Sequence, residues 1–372
     1  MNVFLFSKSN WNIINFRYNL IKELKKNNFK VITVSQKDKY QNDLKKNVFK
    51  LININYKNRK IAFLSDFINL ILIVCYVIKF KPSIFISFNI KPIILSGLAS
   101  KLFNISNIIT ITGLGTVFEK KTSTLVKKIA IFLYYISIKK NDHIIFQNNY
   151  DLKFFLKNKI ISKKNNFYVV GGSGVNINHF NFRKLNSNKK KLHFTFIGRL
   201  LKSKGIDSFL ETIEKYFYNK ELFEFSVIGD YENINDFNYK IFKLLKENHI
   251  INYYNHQNDI REFIYNSDCI VLPSYREGTS KVLLEAMSCG RPIITTNVPG
   301  CNYLTNNDKN GILCEKDNIV SLKNSLLKFK NLSNHERNEL SINARNFIIK
   351  NFDEKFVIER YINLIKKLNE SK

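Results

Sequence analysis

The chain has few of the residues that mark metal sites, disulfide frameworks and nucleic-acid readers. Its five cysteines are scattered, with no C-x2-C pair and no matching histidine cluster. This pattern argues against a zinc site and a disulfide framework, and it fits a reducing cytoplasm. Only ten of the 59 basic residues are arginine. Because nucleic-acid readers usually show arginine-rich patches and a recognisable module, we expect no nucleic-acid partner.

Nucleotide-cofactor and export signals are also missing from the N-terminal half. The loop at residues 7–11 has no G-x-G-x-x-G, which removes the main support for a nicotinamide or flavin site. Residues 113–116 (Gly-Leu-Gly-Thr) are not followed by the Gly-Lys-Ser/Thr of a Walker A loop. The apolar stretch in residues 1–7 is too short for a signal peptide and predicts a first strand instead.

Acidic residues are scarce as well, and the net charge is +29. One interpretation is attraction to an anionic surface, such as membrane lipid or a phosphorylated acceptor. The other is compositional drift, because lysine, asparagine and isoleucine are all abundant. The composition favours drift for much of the total and leaves the membrane interpretation open.

The length of 372 residues and the 45% hydrophobic composition predict two domains, each with its own core. Residues 2–34 read strand, loop, helix and strand, which is typical of a parallel sheet. Residues 67–78 are apolar all round except for Asn69. This run is shorter than a membrane-spanning helix and favours a buried core helix, with partial insertion into a membrane as the alternative. The basic segment 180–191 predicts a linker between the domains.

A strand, loop, helix and strand pattern fills residues 268–300. The first strand stops at Pro273, a polar loop follows, and the helix is predicted over residues 280–289. Glu277 falls in the loop before the helix, and Glu285 falls on the helix itself.

The start of this helix favours an anionic ligand. The first turn of a helix presents unpaired N–H groups that suit a phosphate, here at Thr279 and Ser280. Gly278 allows the backbone to approach the ligand closely. Glu277 and Glu285 are unsuited to phosphate and better suited to sugar and ribose hydroxyls. The pattern therefore predicts a sugar-nucleotide site.

A second loop supplies positive charge. The strand at residues 193–197 runs into Gly-Arg-Leu-Leu-Lys-Ser-Lys-Gly at residues 198–205. Loops at the carboxyl ends of parallel strands are where α/β proteins bind ligands. Arg199 offers a planar fork and Lys204 a point charge, which together suit a diphosphate.

These residues carry a resemblance to a known family. Glu277 and Glu285, eight positions apart, match the E-x7-E motif of the retaining GT-B glycosyltransferases of family 4. The flanking sequences Leu-Pro-Ser-Tyr-Arg-Glu-Gly and Leu-Leu-Glu-Ala-Met-Ser-Cys-Gly-Arg-Pro resemble the branch that extends bacterial polyprenyl-diphosphate-linked glycans. Residues 198–205 resemble the Gly-Arg-Leu…Lys-Gly motif of the same family.

The resemblance covers essentially the whole chain and implies the GT-B fold. This is an α/β fold of two Rossmann-like domains that face each other across a cleft. An acceptor-binding domain is expected over residues 1–180 and a nucleotide-sugar-binding domain over residues 181–350. A final helix in residues 351–372 is expected to cross back to the first domain.

The resemblance also implies roles for the motif residues. Arg199 and Lys204 would hold the donor diphosphate, Glu285 would bind ribose, and Glu277 would be the catalytic residue that positions the donor sugar. No Asp-x-Asp motif appears, so no metal and no other cofactor are expected. Retention of configuration is implied, and front-face attack and a covalent intermediate both remain open.

Ser9, Asn10 and Gly113 would lie on the acceptor side. The implied acceptor is a lipid-linked glycan and the implied donor a UDP-linked N-acetylhexosamine or hexose. The enzyme would sit at the inner face of the cell membrane, in peripheral contact with anionic lipid. The alternatives are the same chemistry on a lipopolysaccharide core or a soluble sugar, and, in another class, a basic nucleic-acid-binding protein.

Overall fold

The chain forms two compact α/β units in a computed structural model. The model describes residues 1–56, 63–118, 122–186, 189–218, 221–305 and 309–370. The first unit comprises Met1–Ser173 and Lys355–Lys372, and the second comprises Gly174–Glu354. The fold prediction of two Rossmann-like parallel-sheet units is confirmed.

The division between the units lies at Ser173/Gly174 rather than at the expected 180/181. Val175 is the reason. Its N–H donates to the Phe352 carbonyl at 2.9 Å and its carbonyl accepts from the Glu354 N–H at 3.1 Å. The chain is therefore tied to the second unit before the basic segment begins.

The first unit is built on a seven-stranded sheet in the order β3-β2-β1-β4-β5-β6-β7, and every recorded pairing in it is parallel. Its strands are β1 (Asn2–Ser9), β2 (Lys30–Gln36), β3 (Lys50–Asn53), β4 (Ile84–Phe88), β5 (Ser106–Ile111), β6 (His143–Phe146) and β7 (Asn166–Val169). Its helices are α1 (Asn10–Lys26), α2 (Gln41–Asn47), α3 (Phe63–Phe80), α4 (Ile90–Leu102), α5 (Thr124–Ser137) and α6 (Asn149–Lys157).

Alternate residues of β1 point to opposite faces of this sheet. Val3 and Leu5 pack in one core cluster with α1, whereas Phe4 and Phe6 pack in another with α3 and α4. Both faces are apolar because both are covered by helices, as in other parallel sheets.

Helix α3 corrects one expectation. Ile73 and Val77 are buried as predicted, but Phe67 and Ile78 on the other face are each 60% exposed. Only one face of the helix meets the sheet, and an apolar pattern by itself does not show which faces are covered. Within the described ranges, no helix combines the length and apolar character needed to cross a membrane.

The second unit has a six-stranded sheet in the order β10-β9-β8-β11-β12-β13, again with only parallel pairings recorded. Its strands are β8 (Leu192–Ile197), β9 (Phe223–Ile228), β10 (Ile251–Tyr254), β11 (Cys269–Leu272), β12 (Ile293–Thr296) and β13 (Gly311–Cys314). Its helices are α7 (Ile206–Tyr216), α8 (Tyr239–Glu247), α9 (Arg261–Asn266), α10 (Lys281–Ser288), α11 (Ile319–Asn331) and α12 (Asn334–Asn351).

The last helix, α13 (Glu354–Glu370), packs with the first unit. Tyr361 and Ile365 are buried in the core cluster that contains α1. The Tyr361 hydroxyl lies 2.6 Å from Thr110 Oγ1 of β5. The helix is thus an integral part of the first core, although it follows the second unit in the chain.

Candidate functional site

The candidate site lies where the strand order of the second sheet reverses. In chain order the six strands run 3-2-1-4-5-6, so the connections that leave β8 and β11 go in opposite directions. In open α/β sheets, ligands bind at the carboxyl ends of the two strands that flank such a switch point. Here those ends are Ile197 and Leu272. The loops that follow them contain the basic motif and the catalytic glutamate predicted from the sequence.

Two glycines allow these loops to pack closely. Gly205 has φ 76°, and a Cβ placed there would lie 1.9 Å from the Pro273 carbonyl oxygen. Gly300 has φ 89°, and a Cβ there would lie 2.1 Å from the Glu277 carbonyl oxygen. Both conformations favour glycine, and both contacts leave no room for a side chain. The backbone around Glu277 is therefore held from two sides.

Glu277 and Lys204 form an ion pair. Lys204 Nζ lies 2.6 Å from Glu277 Oε1, although the two residues are 73 positions apart. The glutamate side chain is 11% exposed and the lysine side chain 27%. A partly buried charge-assisted hydrogen bond of this length is stronger than a surface ion pair. The structure therefore brings the two residues from separate motifs into one constellation.

Ser274 completes this constellation, and sequence reasoning did not single it out. Its hydroxyl donates to Glu277 Oε1 at 2.7 Å, and the residue is fully buried. Its carbonyl accepts from the Thr296 hydroxyl on the neighbouring strand. The sequence feature that could have indicated Ser274 was its position directly after Pro273, which ends the strand, and three positions before Glu277.

Arg199 stands at the head of the same loop as Lys204, directly after Gly198. Its side chain is exposed. Its carbonyl accepts from the Leu201 N–H at 2.8 Å, which makes a tight turn at the end of β8. Both residues predicted to bind the diphosphate thus lie on the loop that begins at the switch point.

The residues before α10 are partly anchored. Glu277 N–H donates to the Pro299 carbonyl at 3.2 Å, and the Thr279 hydroxyl bonds the Tyr303 hydroxyl. Ser280 occupies the N-cap position and is buried, with no hydrogen bond from its side chain to the first turn. Gly278 lies between them and is partly exposed. The helix therefore begins beside the glutamate, as the sequence predicted.

Glu285 is buried on α10, one turn from Lys281. Lys281 Nζ lies 3.4 Å from its Oε1. Burial raises the pKa of the Glu285 carboxyl, and the Lys281 ammonium partly offsets that rise. Lys281 was also missed in the sequence, although its spacing of four positions from Glu285 is the spacing of helical ion pairs.

The residues expected on the acceptor side belong to the first unit. Ser9 accepts from the Asn12 N–H at 3.3 Å and so caps α1. Asn10 is fully buried, and its Oδ1 accepts from Ser35 Oγ at 2.6 Å, so it supports the loop from within. Gly113 follows β5 with φ 125°.

Asn89 links the ends of three strands near these residues. Its Oδ1 accepts from the Lys8 N–H at 3.2 Å, and its Nδ2 donates to Thr112 Oγ1 at 3.1 Å. It also adopts φ 69°, which is uncommon outside glycine. The loops that carry Ser9 and Gly113 are thereby fixed to each other at the carboxyl edge of the first sheet. Only the position of Asn89 directly after a strand could have indicated this role.

Comparison with known proteins gives a family for each half. A family model described as glycosyl transferase 4-like matches residues 2–148, and a model described as glycosyl transferases group 1 matches residues 178–347.

Two named relatives span most of the chain. A UDP-Gal:alpha-D-GlcNAc-diphosphoundecaprenol alpha-1,3-galactosyltransferase of Escherichia coli is 28% identical over 307 residues, which are 79% of this chain and 78% of the relative. An N,N'-diacetylbacillosaminyl-diphospho-undecaprenol alpha-1,3-N-acetylgalactosaminyltransferase of Campylobacter jejuni is 26% identical over 274 residues, 69% of each chain.

A solved structure shows the same fold over the whole length. The Anabaena protein HepE in complex with UDP and glucose matches with a TM-score of 0.80 at 13% identity, covering 98% of this chain and 99% of that chain. With a glycosyltransferase model over each unit and the parallel sheets described above, the chain belongs to the GT-B glycosyltransferases of family 4.

Proposed function

We propose that this glycosyltransferase moves a hexose or N-acetylhexosamine from a UDP-sugar to a polyprenyl-diphosphate-linked glycan, with retention at the anomeric carbon. The observation that carries the proposal is the constellation of Lys204, Ser274 and Glu277 at the switch point of the second sheet. The two relatives named above act, by their names, on sugars linked to diphosphoundecaprenol.

The leaving diphosphate would be bound by the basic loop. Arg199 supplies a planar fork, and Lys204 supplies an ammonium group that would bridge Glu277 Oε1 and a phosphate oxygen. The first turn of α10 adds backbone N–H groups, whereas the Ser280 N–H just before it donates to the Gly300 carbonyl at 3.4 Å. These groups place positive charge where the leaving group becomes more negative. We therefore propose that transfer proceeds without a divalent metal or another cofactor.

Glu277 would act on the donor sugar. Its Oε1 is held by Ser274 and Lys204, so Oε2 is the oxygen that would accept from a sugar hydroxyl. The carboxylate charge would also stabilise the positive charge that develops at the anomeric carbon. Glu285, buried on α10, would accept from the ribose hydroxyls of the nucleotide.

The acceptor would approach the loops of the first unit that carry Ser9 and Gly113. The enzyme would work in peripheral contact with an anionic membrane, at its cytoplasmic face, because a polyprenyl-linked acceptor resides in the bilayer. The net charge of +29 supports such contact.

The test is a transfer assay with a panel of radiolabelled UDP- and GDP-sugars as donors. The acceptor is a bacterial lipid extract that carries polyprenyl-diphosphate glycans, and a chelator is present to remove divalent metal ions. We expect label from one UDP-sugar to enter the lipid phase. Label that reaches only soluble sugars or a lipopolysaccharide core would overturn the lipid-linked acceptor, and activity that requires an added metal would overturn metal independence. If no sugar nucleotide reacts, the donor assignment fails.

A matched pair of variants tests the role of the constellation. Glu277→Gln keeps the shape and removes the charge, and we expect transfer to fall by roughly 10²-fold or more. Glu247→Gln removes an exposed carboxylate of α8 in the same unit, and we expect transfer to be unchanged. Equal activity of the two variants would remove Glu277 from the mechanism.

A further inference from the structure

Helix α3 is apolar on two opposite faces. Its inner face packs Ile73 and Val77 against Phe4 and Phe85 of the first sheet in one core cluster. Asn69 on the same face donates to the Asn55 carbonyl at 2.9 Å. The inner face is therefore covered by contacts within the first unit.

The outer face carries a continuous stripe of exposed apolar side chains. Its members recur at helical spacing and are Leu64, Phe67, Ile68, Ile71, Leu72 and Ile78. Leu64 is 75% exposed and the others are exposed by between 40% and 60%. Single exposed apolar residues are ordinary, whereas a contiguous stripe marks an interaction surface.

Helix α12 of the second unit shows the ordinary exposure of single apolar residues on a surface helix. Helix α12 exposes two isoleucines, Ile342 and Ile349, which lie two turns apart. The described side chains between them on that face are polar or partly covered. The fold alone therefore does not account for the stripe on α3.

Helix α5 extends the apolar surface within the same layer. Helix α4 packs against both α3 and α5, so all three lie over one face of the first sheet. Helix α5 exposes Leu125, Phe132 and Tyr135. Aromatic side chains of this kind favour the boundary between lipid headgroups and acyl chains.

The charge of the layer formed by α3, α4 and α5 favours an anionic partner. The described residues of the range 63–141 contain eight lysines and one acidic residue, Asp66, which pairs with Lys91. Lys79 and Lys81 at the end of α3 and Lys128 on α5 are exposed beside the apolar side chains. Apolar side chains bordered by lysine match a surface that is anionic outside and apolar beneath, which is an anionic lipid bilayer.

We propose that α3 is a membrane-docking helix whose outer stripe inserts among the acyl chains of an anionic bilayer, while the lysines of the layer bind its headgroups. The helix lies along the bilayer surface because its inner face stays packed on the sheet. The proposal deepens the proposed function, since it rests on an acceptor that resides in the same bilayer. Its test needs neither donor nor acceptor, so the two proposals can fail separately.

The first experiment measures flotation with phosphatidylcholine vesicles, with and without phosphatidylglycerol. We expect the full chain to bind only the anionic vesicles. Ile68→Asn/Ile71→Asn should weaken that binding by about tenfold or more, because two inserted side chains are lost. The matched control, Ile342→Asn/Ile349→Asn, should bind like the unaltered protein. Circular dichroism and thermal unfolding show whether the variants are folded.

The second experiment reports insertion directly. The chain has one tryptophan, Trp11, so Trp11→Phe gives a background for single reporters. We expect Phe67→Trp to be quenched by lipids brominated in their acyl chains, and Ile342→Trp to remain unquenched.

Three outcomes would overturn the proposal. The first is equal vesicle binding by the α3 and α12 variants, and the second is an absence of quenching at position 67. The third is an unaltered protein that is dimeric while the α3 variant alone is monomeric, which would assign the stripe to a second copy of the chain.

Discussion

At the scale of single residues, the candidate site is centred on one carboxylate held in place by two neighbours. Glu277 Oε1 receives a hydrogen bond from Ser274 Oγ at 2.7 Å and an ion pair from Lys204 Nζ at 2.6 Å. The serine fixes the direction of the carboxylate, and the lysine supplies charge that a diphosphate would share. Mutations of the two neighbours should therefore have different effects.

Lys204→Ala should remove most transfer. The variant loses the cation proposed for the leaving diphosphate, and transition-state charge stabilisation of this kind is worth roughly 10²–10³-fold in rate. The control is Lys202→Ala, which removes an exposed lysine of the same 3-10 turn. The check is initial transfer rate at saturating donor. Similar rates for the two variants would show that general positive charge on the loop is sufficient.

Ser274→Ala should lower kcat by about tenfold and leave the donor Kd near its original value. Loss of a hydrogen bond to a charged group costs about 1.5–3 kcal/mol, and here the loss falls on the orientation of Glu277. The measurements are kcat and, separately, UDP affinity by calorimetry. A fall in UDP affinity with unchanged kcat would mean that Ser274 supports nucleotide binding rather than the orientation of Glu277.

At the scale of elements, α13 shows how a distant segment completes a core. Tyr361 is buried, and its hydroxyl lies 2.6 Å from that of Thr110, which is buried as well. The Tyr361 ring also packs against Phe88, with centroids 6.0 Å apart, and the Arg17 guanidinium lies 4.1 Å from the centre of the Phe88 ring. The helix is therefore held by a polar contact inside an apolar cluster.

Tyr361→Phe should destabilise the first unit by about 1–3 kcal/mol, because the Thr110 hydroxyl would remain buried without its partner. Hydrogen exchange in β5 and α13 is the appropriate measurement, since a chain of two units need not unfold in one step. Tyr135→Phe, at an exposed position on α5, is the control. Unchanged exchange in both elements would show that apolar packing alone fixes α13.

At the scale of the whole molecule, stability is expected to depend on pH through a buried carboxyl. Asp142 lies just before β6, and its Oδ2 accepts from the Lys139 N–H at 2.7 Å. Its Oδ1 is buried, has no hydrogen bond from the described residues and lies 4.0 Å from Lys139 Nζ. Burial raises the pKa of Asp142 from its ordinary value of 3.8 to about 6. The folded chain thus holds this proton more tightly than the unfolded chain does.

The sign of the effect follows from that difference. Stability contributed by the bound proton is present below pH 3.8 and is lost as pH rises through about 6. The size is about 3 kcal/mol, at 1.36 kcal/mol for each pKa unit. Asp142→Asn should therefore gain stability relative to the unaltered protein as pH rises from about 4 to about 7. Urea unfolding of the first unit at several pH values measures this.

Asp236→Asn, at an exposed position of the second unit, controls for the loss of one negative charge. A constant difference between Asp142→Asn and the unaltered protein across this pH range would contradict the buried-carboxyl account.

The sequence alone determined the local elements and their chemistry. Apolar periodicity and turn residues predicted a strand, a loop with Glu277 and a helix with Glu285, because these patterns depend on neighbours a few positions away. The basic loop with Arg199 and Lys204 was likewise visible, and the family resemblance supplied the fold.

Only the tertiary structure decided which of these residues meet. Lys204 and Glu277 are 73 positions apart, and they touch because β8 and β11 pair at the switch point. Ser274 lies only three positions before Glu277, but its carbonyl accepts from the Thr296 hydroxyl of the neighbouring strand, a contact between distant residues. The outer face of α3 was decided in the same way, since an apolar helix buries only the side that the sheet covers. Contacts between distant strands, and the faces left uncovered, result from packing of the whole chain, which local periodicity does not encode.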